Sequence, residues 1–131
     1  MLKLQLRDFI FVNSAGSVIL NEGITKLMGS SLPVKIAYEF GKLIKKLSEE
    51  TVLFSERRNA LIMQYGAKDE TTGIFSVDQK SEAFVAFSKD YMELLSIEVT
   101  VEFEPMSIDS LGSISLSALD MILLEKFIKV E

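Results

Sequence analysis

Arg57 and Arg58 are the residues best equipped for chemistry in this chain. They stand side by side in a long segment of helical periodicity, and one of them falls on its apolar stripe. A guanidinium offers a planar fork of donors that matches a carboxylate or a phosphate. From that stripe it can stack on Tyr65 or Tyr91, or pair with Glu82 or Glu93. It can instead grip an anionic ligand or a protein partner. With Phe54 and Tyr65, the two arginines are the candidate interaction residues.

Bond-making chemistry has little to work with. The chain has no histidine and no cysteine. This removes the commonest general base near neutral pH and the commonest metal ligand, together with every thiol nucleophile. Serines are plentiful, but a serine nucleophile needs a base to activate it. Glu49 and Glu50 follow Lys45 and Lys46 and read as a solvated helix face paired at i,i+4. Asp69, Glu70 and Asp78 lack the alternating ligands and terminal glutamate of a calcium loop. The seven glycines are dispersed, and none forms a phosphate-cradling motif. Lys42, Lys45 and Lys46 make a basic patch with few aromatics between them, which reads as a solubility feature. No catalytic, cofactor or metal residue is expected, and the chain reads as no enzyme.

The element that positions the arginines runs from Pro33 to Tyr65. Ala37, Phe40, Ile44, Leu47, Thr51, Phe54, Arg58, Leu61 and Tyr65 recur at alternating steps of three and four, a helix stripe suited to packing along another helix. At ~1.5 Å per residue the helix spans roughly 50 Å. Ser31 and Pro33 mark its start and Gly66 its end. A polar loop, 67–73, leads to an extended piece at Ile74, Phe75 and Val77. Asp78 or Ser81 then caps a second helix with the stripe Phe84, Phe87, Tyr91, Leu94 and Leu95. The short connection predicts an antiparallel hairpin, with these aromatics meeting Phe54, Leu61 and Tyr65.

Strands flank the helices. Leu2, Leu4 and Leu6 alternate with Lys3, Gln5 and Arg7, and Ile97–Glu104 alternates as cleanly. The basic outer face of the first and the acidic outer face of the second predict neighbours in one sheet, with Lys3 and Arg7 opposite Glu98, Glu102 or Glu104. Phe9–Val12 continues past a bend at Asp8, Asn13–Gly16 is a turn, and 17–28 reads as a short helix weakened by Gly23. Ser117 and Asp120 form a capping box for a last helix to about Phe127, beyond which Ile128 to Val130 pack or fray.

The composition narrows the partners. Hydrophobic residues make up 48% of the 131, and mean hydropathy is +0.28, apolar for so small a chain. A spanning helix needs about 18 consecutive apolar residues, and no run comes near that. The alternating charges of Met1–Arg7 do not read as a signal peptide. A net charge of −5 disfavours nucleic acid. The apolar excess is expected to be buried between subunits, in a homo-oligomer free of membrane.

The strings LPVKIAYEFGKLIKKL, FSERRNALIMQYGAKDETTG and FSKDYMELLSIEVTVEFEPMSI resemble a family of small uncharacterised proteins from tailed bacteriophages. The shared positions are Leu32, Pro33 and Lys35; Arg58, Leu61, Ile62, Tyr65 and Gly66; and Asp69, Glu70 and Gly73. Phe40-Gly41-Lys42 stands where family members often have Ala-Lys-Asn, and Glu56 carries only part of the family's acidic run before the shared arginine. The motifs are structural. The resemblance implies a phage or prophage origin and residence in the host cytoplasm, not an activity.

The expectation is one α+β domain, a long-helix hairpin packed on a small sheet with a C-terminal helix. Its expected function is a non-enzymatic, oligomeric protein-interaction module that binds a host or phage protein, with inhibition of that protein as one outcome. The alternatives are a virion morphogenesis or assembly protein, and a sequestering protein for a small anionic nucleotide held by Arg57 or Arg58.

Overall fold

The computed structural model describes residues 1–112 and 114–129. Its spine is helix α2, Val34–Tyr65, 32 residues and roughly 48 Å long. Phe40, Leu43, Leu47 and Phe54 are buried along one side, with Ile36, Ile44 and Leu61 half-buried beside them. The stripe therefore enters through Ile36 and Leu43, and Ala37 is exposed at its edge. Pro33 itself is the N-cap, and Ser31 plays no part in it. At the other end Gly66 is extended (φ −92°), so left-handed geometry is not its role. A Cβ there would lie 2.7 Å from the Ser76 carbonyl oxygen and closer still to that of Ile62, so the site demands the absence of a side chain.

Strand β1, Leu2–Gln5, pairs antiparallel with β6, Glu98–Val101, in the register Leu2–Val101, Lys3–Thr100, Leu4–Val99 and Gln5–Glu98. Leu4, Val99 and Val101 are buried. This is the predicted neighbour relation, shorter than expected. Lys3 Nζ lies 4.0 Å from Glu98 across the strands; both side chains are well exposed, so the pair contributes about 0–1 kcal/mol. Arg7 reaches the Ser96 hydroxyl rather than a glutamate, because the chain leaves β1 at Gln5 and turns through a 3₁₀ segment, Leu6–Asp8. Burial still alternates to Phe103, although pairing stops at Val101, opposite Leu2.

Residues 17–28 are half strand, half helix. Strands β2, Ile10–Val12, and β3, Val18–Leu20, form a hairpin. Asn13 Oδ1 accepts from the amides of Ala15 and Ser17, and Gly16 supplies the positive φ of +82° that the turn needs. The β-branched Val18 and Ile19 suit a strand better than a helix. Helix α1, Glu22–Met28, starts only at Asn21, whose Oδ1 accepts from the Ile24 amide at 2.9 Å. Asn21 is buried and fully used: its Nδ2 also donates to the carbonyls of Asp8 and Leu123, tying three segments together. Gly23 is a packing device rather than a weak point, because a Cβ there would lie 2.9 Å from Leu124 Cγ.

After α2, the two-residue strands β4, Ala67–Lys68, and β5, Phe75–Ser76, close the polar segment into a small hairpin. Helix α3, Glu82–Leu95, then packs back on α2 as expected. Strand β7, Met106–Ser107, leads through a second 3₁₀ turn, Ile108–Leu111, to α4, Ala118–Leu123. The capping box forms as read from sequence: the Ser117 hydroxyl accepts from the Asp120 amide and the Asp120 carboxylate from the Ser117 amide. Asp120 Oδ2 also meets Lys26 Nζ at 2.8 Å, which ties α4 to α1 and holds the Asp120 carboxyl below the usual range. Helix α4 ends earlier than expected, at Leu123, and Ile128–Lys129 forms β8, parallel to β7. Val130, expected near a fraying end, lies outside the described residues.

Among the described residues, nineteen buried apolar side chains form one core, with Phe9, Phe54, Phe127 and Leu47 among its fully enclosed members. Leu47→Ala is expected to cost about 2–5 kcal/mol through lost contacts and a residual cavity. Ile74→Ala, at a side chain 64% exposed, is expected to change stability by no more than about 0.5 kcal/mol. Urea unfolding followed by circular dichroism checks both, and equal losses at the two positions would contradict this core.

Candidate functional site

The four candidate residues lie on one helix but do not form one site. Phe54 is 1% exposed and is core, not surface: its ring meets Tyr91 edge-on at 6.0 Å between centroids. It sits on the inner line of α2, where α3 covers it. Tyr65 is half-buried at the far end of the same line. Its ring meets Phe87 edge-on at 6.4 Å, and its hydroxyl donates to Asp90 Oδ2 at 2.7 Å. Phe84, Phe87 and Tyr91 continue as a row along α3, with neighbouring centroids 6.3 and 5.6 Å apart. The stripe therefore faces its own hairpin.

The two arginines diverge because consecutive helix residues are rotated by about 100°. Arg58 lies on the inner line and is half-buried. Its guanidinium reaches the Gly16 carbonyl at 3.5 Å, in the β2–β3 turn, and its Nε is enclosed with no hydrogen-bond partner among the described residues. It does not stack on Tyr65 or Tyr91, and it does not pair with Glu82 or Glu93 among the described residues. Arg57 is exposed. It stands on one wall of an open groove of about 440 Å³ between α2 and α3. Ala60 and Gln64 share its wall, and Asp90, Glu93 and Ile97 line the other.

Asp90, on the acidic wall of this groove, also acts on Tyr65. Its phenol pKa is raised, first by the hydrogen bond it donates to Asp90, then by burial and by the nearby negative charge. The reading from sequence does not single out the acidic wall. Its signal is present nonetheless: Asp90, Glu93 and Leu94 recur at i, i+3 and i+4 on α3 beside the aromatic line, and Ile97 follows just past the helix end.

A larger cleft, about 720 Å³, lies at the opposite end of the molecule. Ile36, Phe103 and Met106 line it together with Glu39, Glu102 and Glu104. No group of three or more acidic residues among the described residues is placed to hold a metal ion. Asp69 and Asp78 are turn residues: their carboxylates accept from the amides of Thr71 and Lys80. No helix among the described residues is long and apolar enough to cross a membrane. Comparison with protein-family models, curated proteins and solved structures finds no match for this chain.

Because the Tyr65–Asp90 bond favours the neutral phenol, its stabilising effect is complete below the ordinary tyrosine pKa of about 10. It is lost as pH rises through the raised value. Tyrosinate absorbance across an alkaline titration is expected to show one of the three tyrosines ionising late, and Tyr65→Phe should delete that late phase. Loss of an ordinary phase instead would show that the bond does not form in solution.

Proposed function

We propose that this chain is a non-enzymatic protein-interaction module that works as an oligomer and contacts other proteins through the outer face of its long helix. The observation that carries the reading is the two-sided character of α2. Its inner side is consumed by the core of its own subunit. Its outer side still presents Val34, Tyr38, Val52, Leu53 and Met63 to solvent. Large apolar side chains on the solvent face of a long helix mark a docking surface more than a folding requirement.

Two further points support it. The absence of histidine and cysteine leaves few groups for acid–base or nucleophilic work. The resemblance to small tailed-phage proteins makes a host or phage protein the partner class, with inhibition by occlusion of its surface as the mode of action. A virion assembly role would use the same face in a closed ring. The anionic-ligand reading draws less support, because Arg57 shares its groove with two carboxylates and Arg58 is turned toward the Gly16 carbonyl.

Light scattering across a dilution series tests the oligomeric part directly. The expected mass at high concentration is a small multiple of 14.7 kDa that falls on dilution. A ring that resists dilution would favour the assembly role. A monomer at every concentration would contradict self-association.

A further inference from the structure

We propose that the groove between α2 and α3 is a twofold interface that takes a second copy of this chain, with Arg57 of each copy facing Glu93 and Asp90 of the other. The proposal rests on the reading of the chain as a self-associating module and names the surface responsible.

Charge and symmetry together point to this occupant. The groove has walls of opposite sign: Arg57 on the α2 side, Asp90 and Glu93 on the α3 side. Neither Arg57 nor Glu93 has an ion-pair partner among the described residues. Asp90 already accepts from the Tyr65 hydroxyl, which leaves Glu93 as the freer carboxylate. An anionic ligand in this groove meets two carboxylates, and a purely basic peptide meets an arginine. A second copy meets neither conflict. A twofold axis through the groove carries the α2 wall of one copy over the α3 wall of the other, and a surface that joins itself in this way must be complementary to itself.

The apolar content is placed to match. Leu53, Arg57, Ala60 and Gln64 fall on one line of α2 at i, i+4, i+7 and i+11. Leu53, one turn before Arg57 and just outside the groove's lining, is 54% exposed, and Ile97 of the acidic wall is 49% exposed. The twofold covers both and sets the two charge pairs around them, the arrangement of an apolar centre inside a polar rim.

Charge reversal with subunit mixing tests the interface. Arg57→Glu alone sets carboxylate against carboxylate in both pairs of the homodimer, and Glu93→Arg alone sets guanidinium against guanidinium. Each variant alone is expected to dissociate at concentrations where the native chain is dimeric, with affinity weakened roughly a hundredfold. In an equimolar mixture, the heterodimer restores one pair with its charges exchanged and leaves the other native, so the mass by light scattering is expected to return to that of a dimer. Both side chains are exposed, and recovery in the mixture itself demonstrates that both variants fold. A native-like mass for either variant alone, or a mixture that stays monomeric, overturns the interface. If the native chain associates but Arg57→Glu leaves its mass unchanged, this surface is wrong while self-association stands. If the native chain is monomeric throughout, both readings fall.

Discussion

Each strand in this protein is paired on one side at most among the described residues, because the sheets form as four separate two-stranded units. A two-stranded ribbon is at best marginally stable in water. Three of the units hold because they share a core with helix α2, while the exposed β4–β5 ribbon only adjoins the end of that helix. Leu4, Val99 and Val101 of the β1–β6 pair, Ile10 of β2 and Met106 of β7 all belong to the same buried cluster as Phe40, Leu43, Leu47 and Phe54. The length of α2 follows from that duty. Its first turns lie beside the segment that follows β6, and its last turns lie against α3 and β5.

The same length has a consequence at the surface. A helix of 32 residues has more lateral surface than one small domain covers, and the side away from the core stays open. Along its second half this open side adjoins α3, and the two walls differ in sign. Buried and exposed positions are thus divided by angle around one helix. Phe54, Arg58 and Tyr65 turn inward to the ring of aromatics and the β2–β3 turn. Leu53 and Arg57, each one residue earlier than an inward neighbour, turn outward.

Long periodic elements are legible in the sequence. The extent of α2, the aromatic meeting of α2 with α3, the pairing of β1 with β6 and the Ser117–Asp120 box all follow from residue types at fixed offsets. Short elements are not, because tertiary contacts decide them. Val18–Leu20 becomes a strand only because Ile10–Val12 lies beside it, and α4 stops at Leu123 because the chain must turn to bring Ile128 beside Met106. Gly23 and Gly66 show the same limit: sequence marks them as breakers, whereas their role is the space they leave for Leu124 and Ser76. For the candidate site, sequence singles out Arg57 and its helix but not the acidic wall opposite, since periodicity on α3 is dominated by its aromatics. It also names Phe54 among the interaction candidates, although the same periodicity sets that ring inside the hairpin, where it is core.

The central claim is that α2 has a second face covered by another protein molecule. The chain contains no cysteine, so a single introduced thiol reports on one position without background. The most direct measurement is the labelling rate of Leu53→Cys as a function of protein concentration, with Ile74→Cys as the exposed reference. The account predicts that the Leu53→Cys thiol reacts freely in dilute solution and is protected as concentration rises, while the reference reacts at a constant rate. A Leu53→Cys thiol that reacts equally fast at every concentration would contradict it.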